Sequence, residues 1–194
     1  MSFTYTELKT AIKDYTENQE TSFVAHLSDF IEAAEQRIFT TVDLEFFRKN
    51  ATGSLTSGNQ FLAMPTDFLA AFSLDITSSS SKIFLQQKDV NYLQEFNPDS
   101  STGIPRYYAS FDVSNFILAP TPNTTYVGEL HYYYRPASLV VGGDDSTTWL
   151  SINAEIALLY GSLIEAYIFM KGEQDVMNMY NQKFQEALGQ LHLS

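Results

Sequence analysis

The sequence predicts an α+β protein, a helical bundle of N-terminal helices plus a C-terminal αα-hairpin with a projecting antiparallel β lobe. Three observations predict it. Apolar residues recur every three or four positions in residues 1–45 and 146–194, the period of helices with one buried face. Residues 46–145 change to short runs broken by Gly, Pro, Asn and Ser, the punctuation of hairpins. The chain has 194 residues, 44% of them hydrophobic and 14% aromatic, enough apolar surface to offset the entropy of ordering one domain. The expected organisation is therefore a helical bundle from 1–45 and 146–194 and a β lobe from 46–145, together one domain.

The first helix is expected over residues 5–15. Thr4-Tyr5-Thr6-Glu7 reads as a capping box, in which the Thr4 hydroxyl accepts an orphan helical N–H and Glu7 reaches back to the cap. Phe3 and Leu8 stand at staple positions. After the polar break 17–20, a single second helix is expected, with Phe23, Leu27, Phe30, Ile31, Ala34 and Ile38 as its buried stripe.

In the β lobe, the run from Tyr126 to Arg135 alternates. Tyr126, Leu130, Tyr132 and Tyr134 fall on one face and Glu129, His131 and Arg135 on the other. Residues 88–96 read as a short helix between strands, with Val90, Leu93 and Phe96 at helical spacing. The serines 78–81 read as a hairpin tip. Beyond the Gly142-Gly143-Asp144-Asp145-Ser146 loop the helical period returns. Ile152, Ile156, Leu159, Leu163 and Tyr167 form one stripe, and Val176, Tyr180, Phe184, Leu188 and Leu191 another. Gly172 is the expected helix stop between them, and Glu173 and Asp175 place negative charge at the next helix's positive end.

Eleven Lys and Arg oppose 23 Asp and Glu, a net charge of -12, which disfavours ordinary nucleic-acid binding through phosphates. Residues 141–194 are the most acidic part, with two bases and seven acids. No cysteine is present, which removes disulfides, thiolate nucleophiles and Cys-ligated metals. The N-terminal residues do not read as a signal peptide, and no run has the ~18–20 apolar residues of a membrane span.

His26, His131 and His192 sit on different elements without partners at metal-ligand spacing, so no metal site is expected. Asp144-Asp145 lacks the alternating oxygens and closing Glu of a calcium loop and reads as a turn with helix capping. Glu155 and Glu165 share a helix, yet nothing sets them up as a glycosidase pair. No nucleophile elbow, phosphate loop or dinucleotide fingerprint occurs, so neither catalysis nor a cofactor is expected. The tyrosines Tyr107, Tyr108 and Tyr132-Tyr133-Tyr134 admit a stacking surface for carbohydrate, although strand aromatics more often divide between core and interface.

The order of certain pieces resembles a known family. They are Ile31-Glu32-Ala33-Ala34-Glu35-Gln36-Arg37-Ile38, Met64-Pro65-Thr66-Asp67-Phe68-Leu69, Gly103-Ile104-Pro105-Arg106-Tyr107-Tyr108, Leu118-Ala119-Pro120-Thr121-Pro122, the long strand to Arg135-Pro136 and Leu139, Thr148-Trp149-Leu150, and the helix from Leu158 to Ala166. Together they resemble the head-to-tail adaptor (connector) proteins of tailed bacteriophages, from about Phe23 to Leu191.

The resemblance implies a non-enzymatic virion protein of the neck, made in the host cytoplasm. It implies a homo-oligomeric ring of about twelve copies, of the heterologous kind that closes by rotation, between the portal protein and a tail or nozzle protein. Double-stranded DNA would pass through the channel without specific binding, for which an acidic wall is suited because it repels phosphates. Glu155, Glu165, Glu173 and Asp175 are the candidate channel-lining acids, and Tyr107, Tyr108, Tyr133 and Trp149 the candidate interface residues. On this reading the helices face the portal and the β lobe the tail. The alternatives are a tail-tube or baseplate subunit and a carbohydrate-binding module.

Overall fold

A computed structural model describes residues 2–41 and 47–191. Of the residues named above, His192 lies outside them. The chain is mixed α+β and divides into two compact units, Met1–Leu44 with Pro136–Ser194, and Glu45–Arg135.

The first unit is helical. Helix α1 (Tyr5–Thr16) begins with the expected capping box between Thr4 and Glu7. Its start is also fastened to the 142–146 loop: the Thr6 N–H donates to the Asp144 carbonyl at 3.1 Å, and Lys9 pairs with the Asp144 carboxylate at 3.0 Å. Asp144 is thus a tether of α1, while Thr148 caps the helix that follows it.

The expected second helix is two pieces, α2 (Thr21–Val24) and α3 (Leu27–Thr41). The break lies at His26, whose N–H donates to the Phe23 carbonyl, three residues back, at 3.0 Å. That tighter turn interrupts the ladder of four-residue hydrogen bonds. All six stripe residues are nevertheless buried.

Helix α4 (Val90–Phe96) belongs to the other unit. Helices α5 (Trp149–Asn153), α6 (Glu155–Met170) and α7 (Gln174–Leu191) complete the helical one. Helix α6 is its axis, packed by α1, α3, α5 and α7 and buried on most of its circumference from Ala157 to Ala166. The break at Ala154 puts Ile152 on a separate helix from Leu159 and Leu163, and Ile156 lies in the first turn of α6. Ile152 and Ile156 are about half exposed and Leu159 and Leu163 buried, so the predicted single stripe is corrected to its C-terminal half. Of the α7 stripe, Tyr180, Phe184, Leu188 and Leu191 are buried as its period predicts, and Val176, in the first turn, is half-buried.

The α6–α7 turn also departs from expectation. The left-handed residue is Lys171, with φ of 54°, not Gly172. The Lys171 N–H donates to Ile168 and the Gly172 N–H to Tyr167, the paired bonds of a Schellman stop. Gly172 is needed for space: a Cβ there would lie 2.4 Å from Tyr167 Cδ1.

Among the described residues of this unit one acid is buried. Glu35 of α3, 3% exposed, accepts the Leu139 N–H at 2.9 Å, joining two segments that the sequence singles out. Burial pushes its carboxyl above the ordinary value of 4.5, against the lowering effect of hydrogen bonds from Ser138 and Leu139. The folded chain therefore holds a proton at Glu35 more tightly than the unfolded chain. The stability this confers is complete below the unfolded value and is lost as pH rises through the folded one. Glu35→Gln keeps an acceptor for Leu139 and removes the charge. Urea unfolding is expected to show the variant gaining on the native protein from pH 4 to pH 7.5; a constant difference would contradict the assignment.

The second unit carries β1 (Arg48–Leu55), β2 (Phe61–Ala63), β3 (Phe68–Ser78), β4 (Ser81–Gln87), β5 (Thr102–Gly103), β6 (Tyr107–Ser110), β7 (Asn115–Ala119), β8 (Thr121–Pro122) and β9 (Tyr126–Tyr134). Seven form one sheet in the order β1-β9-β3-β4-β6-β7-β2, and β5 pairs β8 separately. The lobe is not wholly antiparallel, because β4 and β6 run parallel, as do β5 and β8. The reason for the first is α4, which reverses the chain between β4 and β6 where a tight hairpin cannot. The sheet curls: β1 and β2, its two ends, line one cavity of about 220 Å³ together with Leu74, Gly128 and Leu130.

The predicted faces of β9 are observed, with Tyr126, Leu130 and Tyr132 buried alongside Leu55, Leu74, Ile76 and Phe116. A smaller core lies under α4, made by Leu93, Ala109, Ile117 and Ala119. Phe96, at helical spacing from Leu93, is 45% exposed. The 78–81 tip is a tight two-residue turn with Ser79 and Ser80 both left-handed, the geometry that matches strand twist.

Candidate functional site

The four candidate channel acids are spread along the α6–α7 pair. Glu155 opens α6, and Glu173 and Asp175 stand at its other end, about 22 Å away at the helical rise of 1.5 Å per residue. Glu173 and Asp175 are exposed, and Glu155 is half-buried. The Glu165 carboxylate is paired with the Arg37 guanidinium of α3. Its charge is already matched inside the unit.

The candidate interface residues also separate. Tyr108 is 2% exposed and packs edge-on against Phe116 in the sheet core, which pushes its hydroxyl pKa up; it is corrected from an interface residue to a core residue. Tyr107 joins Tyr92 and Phe96 of α4 in a three-ring cluster whose α4 members are exposed. Tyr133 lies on the outer face of β9, edge-on to Phe72 and beneath Arg48, which also donates to its hydroxyl at 3.2 Å. Trp149 opens α5 and is half-buried. Tyr132 is core, and its hydroxyl donates to Asp67 at 2.9 Å. Since β3 and β4 lie between β9 and β6, the five tyrosines do not form one stacking platform, and the glycan reading loses its basis.

Asp67 explains one motif. Its carboxylate receives Lys49 of β1 at 2.7 Å as well as Tyr132, and its carbonyl accepts the Arg135 N–H. Burial works against ionisation there, yet the Lys49 and Tyr132 hydrogen bonds hold the carboxyl below its usual range. The Met-Pro-Thr-Asp segment is therefore a brace across β1 and β9.

What the sequence reading missed is the outer face of the sheet. Phe84 is 64% exposed, and Phe72 and Val127 are each 58% exposed, on β4, β3 and β9. Among them Asp75, Glu129 and His131 form a polar cluster. These three are the one group of His, Asp and Glu side chains among the described residues that could hold a metal ion. The period-two alternation of β9 carries this information, because it puts Glu129 and His131 together on the non-core face.

The profile of the SU10 adaptor protein family matches residues 3–194, almost the whole chain. The chain belongs to this family. A search of curated protein sequences returns no match.

The adaptor is thereby a structural component of a bacteriophage virion, belonging to a family of adaptors and not of enzymes. As an adaptor it interacts with other head or tail proteins. Among its described residues no helix is long and apolar enough to cross a membrane.

Proposed function

We propose that the adaptor forms a ring of about twelve copies below the portal, extending the DNA channel and offering the tail its attachment surface. The observation that carries this is the family match over residues 3–194. Two physical features support it. The exposed Phe72, Phe84 and Val127 give the sheet face apolar area of the kind that subunit contacts cover. The excess of 23 acids over 11 bases suits a wall past which DNA must slide without sticking.

On this reading the helical unit, with α3, α6 and α7, faces the portal and neighbouring copies, and the β unit meets the tail. Glu155, Glu173 and Asp175 contribute negative charge to the channel, with Glu165 contributing less because Arg37 already neutralises it. Reconstruction of the virion neck tests the ring. A ring of this chain beneath the portal is expected; a stacking tube would favour the tail-subunit reading.

The acids have their own test. Glu155→Gln, Glu173→Gln and Asp175→Asn together are expected to slow DNA packaging or ejection, whereas Glu165→Gln alone is expected to affect them less and to lower stability by leaving Arg37 unpaired. Unchanged packaging and ejection in the triple variant would refute the channel assignment.

A further inference from the structure

We propose that Asp75, Glu129 and His131 form a binding site for a divalent transition-metal ion of the zinc type, a place that the Lys82 ammonium holds in the metal-free protein. The site is built by strand geometry. Glu129 and His131 are two residues apart on β9 and so project from the same face, and Asp75 of β3 is the direct cross-strand partner of Glu129. One ligand atom from each of the three lies within 4.8 Å of the others. His131 Nε2 and Glu129 Oε1 are 3.6 Å apart. Bonds of about 2.1 Å in a tetrahedral zinc site set ligand atoms roughly 3.4 Å apart, so the Glu129–His131 pair already stands near that spacing, and the widest separation in the trio has to close by up to about 1.4 Å.

Asp75 supplies an independent sign of a missing partner. It is 1% exposed, and its Oδ1 is buried without a hydrogen bond among the described residues. A buried carboxylate oxygen without a partner is costly, and a cation is the partner that satisfies it most fully. The other oxygen, Oδ2, receives Lys82 at 3.3 Å, and the same ammonium is hydrogen-bonded to Glu129 Oε2. The protein thus already keeps one positive charge between the two carboxylates. Lys82 is half exposed and flexible, so its ammonium can leave for solvent when a metal enters.

The donor set selects the ion. One imidazole with two carboxylates suits zinc and its neighbours, whereas magnesium and calcium prefer oxygen alone. Asn50 donates to Glu129 Oε1 at 2.9 Å, orienting that carboxylate as outer-shell partners of metal ligands do. His131 is partly exposed, which leaves the remaining coordination position open to water.

The test is calorimetric titration of the full chain with zinc, beside thermal unfolding with and without it. One equivalent is expected to bind and raise the Tm. His131→Ala is expected to weaken binding about 10–100-fold, the usual range for disturbing a metal site. Lys82→Gln is expected to tighten it severalfold by removing the competing charge, and Glu129→Gln to weaken it. Absence of zinc binding in both the native chain and Lys82→Gln would overturn the proposal. So would binding indifferent to His131→Ala and Glu129→Gln, or equal stabilisation by magnesium or calcium.

Discussion

Phe184→Ala is expected to lower the unfolding free energy by about 3–5 kcal/mol, near the top of the range for core truncations. Phe184 is 1% exposed on α7 and reaches the backbone of α6 at Gly161. Two features keep the vacated space open. The α6 backbone is held from its other side, where a Cβ at Gly161 would lie 3.0 Å from Ala34 Cβ of α3. Helix α7 is held at its start by the Schellman stop and by Tyr180, which packs edge-on against Tyr167 at 5.1 Å. The helices cannot close on the gap, and a cavity that does not collapse carries its full cost. Since domains have only about 5–15 kcal/mol of stability, the loss would be a large share of the total. Phe169→Ala is the control, a ring 42% exposed, expected to cost much less. Urea unfolding of the two variants decides it: equal small losses would show that α7 is not packed on α6 in solution.

How much of the molecule the sequence carried can be argued from particular residues. The capping box of α1, the buried α7 stripe and the two faces of β9 were legible because each follows from local chemistry or from one uninterrupted period. The break at Ala154 was not, because Ile152 and Ile156 keep helical spacing across it and nothing between them is Gly or Pro. The parallel pairing of β4 with β6 was not legible either, since strand direction is set by the crossover and not by the residues that pair. Glycine at 172 pointed to the right place for the wrong reason, marking the close approach of Tyr167 next to the left-handed residue.

The candidate residues divide along the same line. Tyr108 alternates with Tyr107, and no local rule says which of two adjacent tyrosines faces the core. The Arg37 partner of Glu165 is 128 positions away and was invisible to spacing. His131 has no histidine or cysteine near it in the sequence at metal-ligand spacing. On a strand the relevant spacing is two, which Glu129 satisfies, while Asp75 comes from a neighbouring strand whose register only the fold supplies.

Gly161→Val tests the same helix contact from the opposite side, and a loss of about 3 kcal/mol is expected from overpacking. In a helix interior glycine is less favourable than alanine by about 1 kcal/mol, so propensity alone would make Gly161→Ala stabilising. Packing opposes it. The new Cβ would stand 3.0 Å from Ala34 Cβ and 3.1 Å from Phe184 Cε2, both tighter than ordinary contact, and neither neighbour is free to retreat. Gly161→Ala is therefore expected to be no better than neutral, and the branched methyls of valine to force α3 or α7 outward. Combining Gly161→Val with Phe184→Ala removes one of the two obstacles. The double variant should be more stable than the sum of the single losses predicts by about 1 kcal/mol or more, the coupling expected of residues in direct contact. Ala34→Gly should rescue Gly161→Val in the same way from the α3 side. If Gly161→Ala instead stabilises the chain by the full helix-propensity increment, or if the double variant is strictly additive, then α3, α6 and α7 do not meet at Gly161 as closely as the structure has them.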